Sequence, residues 1–98
     1  MQNTAISREK MMDILRNKYK ISFIRTTEDF YGRNNDGGIW LSGEDDDTMP
    51  NGVRIFNYYS ENYKLYDIGV HVKFQKMLEN NGWFAEWYDA GTIMLYPD

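Results

Sequence analysis

Apolar residues at helical spacing predict a first helix near the start of the chain. Met11, Ile14 and Leu15 follow an i, i+3, i+4 pattern, which places them on one face of a helix over residues 8–19. Ser7 suits the N-cap position, because its hydroxyl oxygen can accept a hydrogen bond from an unpaired N–H of the first turn. The opposite face is polar and is expected to face solvent.

A second helix is predicted over residues 68–80. Its apolar stripe has the spacing i, i+4, i+7, i+8 and comprises Val70, Phe74, Met77 and Leu78. Asp67 is the expected N-cap of this helix. Gly82 suits the left-handed backbone position that often follows a helix C-terminus.

β-branched and aromatic residues predict five strands. These strands cover residues 20–25, 39–42, 53–59, 83–88 and 92–96. The second and third strands are expected to pair as a hairpin across an acidic loop, residues 43–52, and residues 26–38 are expected to be irregular. A three-residue connection, residues 89–91, joins the last two strands and has the spacing of a type I turn with a G1 bulge at Gly91.

The element order α-β-β-β-α-β-β predicts an α+β fold. The expected architecture is a mainly antiparallel sheet of four or five strands with both helices on one face. One parallel pair would arise if the second helix crossed over between two strands. With 98 residues, the chain is expected to form a single domain over residues 1–98.

Composition excludes several classes of chemistry. The chain has no cysteine, which excludes disulfides, thiolate metal sites and cysteine nucleophiles. It also has no apolar run of the length that a bilayer requires and no apolar segment typical of a secretory signal. We therefore expect a cytoplasmic protein that needs no cofactor and no membrane.

Charge is distributed unevenly along a chain of net charge −4. Residues 1–25 carry six basic and two acidic side chains, whereas residues 26–47 carry one basic and seven acidic ones. The densest acid run comprises Glu44, Asp45, Asp46 and Asp47. Such a run is a solvated loop, a site for a hard cation such as Ca²⁺, or an acidic patch that meets a basic partner. The EF-hand pattern is absent, and the net acidity makes direct nucleic-acid binding unfavourable.

Catalytic motifs are missing. His71 is the only histidine, and the predicted helix places it one turn after Asp67, which is typical of a surface histidine with a local carboxylate. The sequence contains no nucleophile elbow and no glycine-rich phosphate loop. Glu86 and Asp89 beside an aromatic hairpin would suit glycoside chemistry, but two acids near a turn are commonplace. We predict that the protein is not an enzyme.

Aromatic residues are the more informative feature, with eight Tyr, five Phe and three Trp. Alternation along residues 83–88 puts Trp83 and Trp87 on one face of the sheet and Phe84 and Tyr88 on the other. Because two helices cover only one face, the other is expected to present aromatic surface for a partner or a second copy. The alternatives are cross-strand pairs that only stabilise the sheet, or a stacking platform for single-stranded nucleic acid, which would need a basic groove.

In size and composition alone, the chain resembles phage- and plasmid-borne inhibitors and small immunity proteins. The leading hypothesis is a non-enzymatic protein that binds another macromolecule, in its sharpest form an inhibitor of a host nucleic-acid-binding protein. The alternatives are a small-ligand or metal-binding domain, a minimal enzyme, and a homodimeric structural module. The predicted partner-binding residues are Glu44, Asp45, Asp46, Asp47, Tyr58, Trp83, Trp87 and Tyr88.

Overall fold

The computed structural model describes residues 5–31, 37–42, 47–60, 62 and 64–98. These residues contain three helices: α1 (Arg8–Asn17), α2 (Thr27–Tyr31) and α3 (Val72–Asn80). They also contain six strands: β1 (Ile24–Thr26), β2 (Ile39–Ser42), β3 (Tyr66–Asp67), β4 (Val70–His71), β5 (Trp83–Asp89) and β6 (Thr92–Pro97).

Four strands form an antiparallel sheet in the order β1-β2-β6-β5. β3 and β4 form a separate antiparallel pair. The predicted α+β class and the antiparallel sheet are confirmed, and no parallel pair occurs among the described strands. The edges of the larger sheet are the short β1 and the seven-residue β5.

The core lies between α1 and α3 and one face of the sheet. Of the predicted stripes, α1 buries Met11 and Leu15 and α3 buries Phe74 and Leu78 against alternate residues of β2 and β6, whereas Val70 lies in β4. The central buried side chains are Met11, Leu15, Ile39, Leu41, Phe74, Leu78, Ile93 and Leu95. The predicted cap of α1 is confirmed, because the Ser7 hydroxyl accepts a hydrogen bond from the Lys10 N–H at 3.2 Å.

The C-terminal hairpin of β5 and β6 is confirmed, with a correction to its turn. Asp89 pairs with Thr92, so the connection has two residues, and the register irregularity lies at Tyr88 rather than at Gly91. The Asp89 carboxylate accepts a hydrogen bond from the Gly91 N–H at 2.9 Å. This side-chain bond closes the turn in place of the expected G1 bulge.

The predicted strand over residues 53–59 is wrong, and so is its hairpin with β2. Ile55 and Phe56 are adjacent in sequence and both buried, which a regular strand with one buried face does not allow. This segment makes isolated bridges through Arg54 and Phe56 only. The place beside β2 is taken by β6, whose paired residues lie fifty or more positions away along the chain.

The second helix begins four residues later than predicted, at Val72, and Asp67 is not its cap. The backbone has φ 47° at Ile68 and 75° at Gly69, and Asp67 pairs with Val70 across them. Two positive φ values in a two-residue connection are the signature of a type I′ hairpin turn. The predicted left-handed glycine after the helix is confirmed, with φ 76° at Gly82.

The chain between α1 and β2 also differs from the prediction. The first strand covers Ile24–Thr26 instead of 20–25, because Lys20 takes a positive φ of 56° and reverses the chain after α1. Residues 26–38, expected to be irregular, contain the short helix α2. The Thr26 hydroxyl accepts a hydrogen bond from the Asp29 N–H at 3.3 Å, which is a local cap that begins this helix.

Candidate functional site

Of the predicted partner-binding residues, Trp83 lies in the core. Its side chain is 2% exposed, and its Nε1–H donates a hydrogen bond to the Ile6 carbonyl oxygen at 2.9 Å. This bond ties the segment before α1 to the start of β5. Burial leaves Trp83 no surface to offer a partner, so it holds the fold together and stays outside the candidate site.

Most of the acid run lies outside the described residues. Glu44, Asp45 and Asp46 belong to this part, and only Asp47 is described. Asp47 is half-buried, and its backbone carbonyl accepts a hydrogen bond from the Ile55 N–H at 3.0 Å. The steering role of the acid run therefore stays a prediction.

Tyr58 and Trp87, two of the predicted residues, meet at the free edge of the sheet. Their ring centroids lie 5.0 Å apart in an edge-to-face arrangement. Trp87 also donates its Nε1–H to the carbonyl oxygen of Ile68 at 2.7 Å, which fixes the tip of the β3–β4 hairpin against β5. The packing brings together three segments that the sequence separates by at least ten residues.

Exposed apolar side chains surround this contact and form what we call the apolar corner. Its exposed members and their exposed fractions are Tyr58 (45%), Tyr59 (79%) and Ile68 (81%). Beside it, a depression of about 320 Å³ is lined in part by Ser60, Tyr66 and Gly69. A cluster of large apolar groups this exposed is typical of an interaction site rather than of scattered surface residues.

Close packing explains why glycine stands at position 69. A Cβ atom there would lie 2.9 Å from the Tyr58 Cα atom and 3.2 Å from the Trp87 ring. Its φ of 75° is also one that side-chain-bearing residues rarely adopt. The hairpin tip can therefore approach the Tyr58 backbone only with a glycine at this position.

Ile68 is the strained member of the apolar corner. It is a β-branched residue in the left-handed region, with φ 47°, where Cβ crowds the backbone. Its side chain is 81% exposed, so packing within the protein does little to offset that strain. Both features destabilise the free protein.

Asp67 is the acidic side chain next to the apolar corner, since it precedes Ile68 in the hairpin and is exposed. Glu86 and Asp89 flank Trp87 along β5, but their cross-strand partners place them on the opposite face of the sheet. The corner thus combines an apolar centre with an adjoining acid.

The second sheet face, which neither α1 nor α3 packs against, carries the predicted outward residues. Phe84 and Tyr88 are exposed there at 39% and 62%. The strand register aligns one row across all four strands, composed of Arg25, Trp40, Met94 and Glu86. The row has a cation on one edge strand and an anion on the other, with apolar side chains between them.

His71 is a buried helix cap, which corrects the expectation of a surface histidine paired with Asp67. It is 2% exposed, and its Nδ1 accepts a hydrogen bond from the Lys73 N–H at 3.1 Å, so the ring proton sits on Nε2. Burial, followed by the positive charge of Lys73, lowers the pKa of His71 below its ordinary 6.5. These contacts give the imidazole a structural role.

The described part of the chain contains neither a cluster of metal-ligating side chains nor a membrane-spanning helix. Within it, no three His, Asp or Glu side chains cluster in a way that would hold a metal ion. No helix there has the length and apolar character needed to cross a bilayer.

Comparison with known protein families, with curated proteins and with solved structures gives no match for this chain. The features of the described residues that bear on function are the apolar corner and the second sheet face.

Proposed function

We propose that this protein catalyses no reaction and binds another protein through the apolar corner. The observation that carries the proposal is the exposed and strained Ile68 at the centre of an apolar cluster. The left-handed backbone and the exposure of Ile68 are both unfavourable in the free protein. Burial of this side chain in a complex would explain why isoleucine stands at this position. Tyr59, at 79% exposure, would be buried with it.

The corner is preorganised for such a role. Tyr58 touches both Tyr59 and Trp87, each at a centroid distance of 5.0 Å, and the Trp87 indole holds the Ile68 carbonyl. Because these contacts already restrict the tyrosine rings, binding would require less ordering of side chains. Tyrosine and tryptophan are also the residues that most often dominate interface energies.

Charge indicates what kind of partner fits. The acidic side chain of Asp67 beside the corner and the net charge of −4 favour a partner whose apolar pocket is bordered by basic residues. A nucleic-acid-binding protein has such a basic surface by necessity. This supports the finer proposal that the protein is an inhibitor of a nucleic-acid-binding protein.

A second candidate function is self-association through the second sheet face. Arg25 and Glu86 lie at opposite ends of one row, so a two-fold axis through the centre of that row would place each against the other in a second copy. Light scattering distinguishes the two candidates. A dimer that the charge reversal Glu86→Arg abolishes would favour self-association, and a monomer would favour a different partner.

The test of the main proposal compares three baits in a capture from lysate of the cells that make the protein. The baits are the wild type, the corner variant Ile68→Asn/Tyr59→Ser and the control Phe23→Thr. Phe23 is also an exposed aromatic residue, 41% exposed, but lies next to β1 at the opposite edge of the sheet.

We expect one stoichiometric partner that the wild type and the control retain and the corner variant loses. Retention should weaken as salt rises, because salt screens the attraction between a net acidic protein and a basic partner. Equal capture by all three baits would contradict binding through the corner. The absence of any stoichiometric partner would contradict the proposed function itself.

A further inference from the structure

A cleft of about 550 Å³ lies on the helical side of the molecule, away from the apolar corner. It is bounded by the end of α1, the exposed side of α3 and the turn at residues 49–51. The volume is within the range typical of small-molecule sites, about 300–1,000 Å³. We call it the lysine cleft.

The floor of the lysine cleft is apolar. It contains half-buried Met77 and the exposed edges of Tyr19, 4% exposed, and Met49, 7% exposed. The Tyr19 ring is held by an edge-to-face contact with Phe74 at 5.1 Å, and the Lys18 Nζ lies over the ring, 5.6 Å from its centroid. The floor therefore offers a narrow apolar strip, with Met77 as its most exposed member.

Three lysines stand on the rim: Lys18 from the end of α1, and Lys73 and Lys76 from one face of α3. No carboxylate of the described residues is paired with these ammonium groups, and none of the described residues that line the cleft is acidic. In a chain with 15 acidic and 11 basic residues, this local excess of positive charge runs against the overall balance. The positive charge of Lys73 also acts on the protein interior, because it helps to lower the pKa of buried His71.

Amide side chains add polar groups of both kinds. Asn51 uses its Oδ1 to accept a hydrogen bond from the Val53 N–H at 3.2 Å, which leaves its N–H₂ group as a donor. Asn81 donates its Nδ2–H to the Met77 carbonyl oxygen at 2.8 Å, which leaves its Oδ1 as an acceptor. The charged groups of the described lining are lysines, which are donors only. A ligand that matches them is rich in acceptor oxygens and negatively charged.

We propose that the lysine cleft binds a small ligand in which an apolar ring is joined to a phosphate-like anion, a nucleoside monophosphate being the simplest example. The ring would lie against Met77 and the exposed edges of Tyr19 and Met49, and the anion would lie between Lys73 and Lys76. This site is separate from the apolar corner, so it stands or falls independently of the proposed function.

The test uses adenosine 5′-monophosphate as the probe and follows backbone amide signals of the full chain by NMR. We expect saturable shifts at residues 18–19, 49–51 and 73–81. Adenosine, which lacks the anion, and inorganic phosphate, which lacks the ring, should each bind about tenfold more weakly or worse.

Two charge variants make the test specific. Lys73→Gln/Lys76→Gln should weaken binding about tenfold, whereas Lys10→Gln/Lys64→Gln, which removes the same charge from exposed positions outside the cleft, should leave it within about twofold. Unchanged thermal unfolding of both variants would exclude a loss of fold. The proposal is overturned by the absence of saturable shifts up to about 10 mM probe, by shifts outside the cleft, or by equal weakening in both variants.

Discussion

Replacing Ile68 by asparagine is predicted to stabilise the free protein, although it removes a large apolar side chain. Asparagine tolerates the left-handed region better than a β-branched residue does. The change would also create Asn-Gly at the two central positions of the turn, with Gly69 second, and this dipeptide is the preferred one for a type I′ hairpin.

Two opposing contributions set the size of this effect. Relief of the left-handed strain at φ 47° is worth roughly 1–2 kcal/mol. Full burial of an isoleucine contributes about 1.5–3 kcal/mol, but Ile68 is 81% exposed, so its loss should remove only about 0.5 kcal/mol. The expected net gain in the free energy of unfolding is about 1 kcal/mol, which corresponds to a rise of about 5 °C in Tm for a chain of this length.

Urea unfolding with a constant m-value measures the change, and Lys20→Asn is the matched control. Lys20 is the other described non-glycine residue with a positive φ, 56°, and its side chain is exposed on the turn after α1. Both variants should be more stable than the wild type. If Lys20→Asn is stabilised while Ile68→Asn is destabilised, the contacts of Ile68 outweigh its backbone strain in the free protein, which contradicts the prediction.

Three further predictions concern the rest of the fold. Burial lowers the pKa of His71 below 6.5 in the folded protein. The contribution of His71 to the free energy of unfolding should therefore be full above about pH 6.5 and fall at lower pH, because the unfolded chain gains a proton before the folded protein does. Urea unfolding at about pH 7.5 and about pH 5 should show this loss in the wild type and a smaller one in His71→Asn, which keeps a capping acceptor. Gly38→Ala should destabilise the protein by about 1–3 kcal/mol, since the new Cβ would lie 2.5 Å from the Tyr96 ring, and the cost should shrink in a Tyr96→Ala background. The hydrogen bonds from Arg8 lower the pKa of Glu28 to about 2, so Arg8→Gln should return it towards 4.5 in an NMR titration; an unchanged pKa would contradict this cause.

The elements that local sequence specifies were predictable. The first helix, its Ser7 cap, the left-handed Gly82 and the C-terminal hairpin depend on residues close to one another in the chain, and the structure has all of them. The last hairpin also shows the predicted alternation, with Trp83 buried and Phe84 exposed. From these pieces the α+β class follows.

Long-range pairing was not predictable by the same means. Residues 53–59 have the composition of a strand, but β-propensity records how well a side chain fits a half-buried surface and does not identify a partner strand. β6 pairs with β2 instead, and Ile55 and Phe56 are both drawn into the core. Tertiary packing thus overrides the local preference in this segment.

The candidate site was predictable in part. Tyr58 and Trp87 were identified from the density of aromatic residues, but their contact depends on the β3–β4 hairpin. The sequence did not predict this hairpin, because Val70 fits the apolar periodicity of the following helix and was assigned to it. A signal for that hairpin was present, since the pair Ile68-Gly69 lies between two short segments that can form strands. An isoleucine at the first of the two central positions of such a turn is unusual, and Ile68 lies at the centre of the proposed binding surface.

The most direct test of binding through the apolar corner measures stability and partner capture on the same two variants, Ile68→Asn and Lys20→Asn. We expect both variants to unfold at higher urea than the wild type and only Ile68→Asn to lose the partner. Loss of the partner could not then be attributed to a damaged fold. If Ile68→Asn captures as much partner as Lys20→Asn does, the apolar corner is not the binding surface.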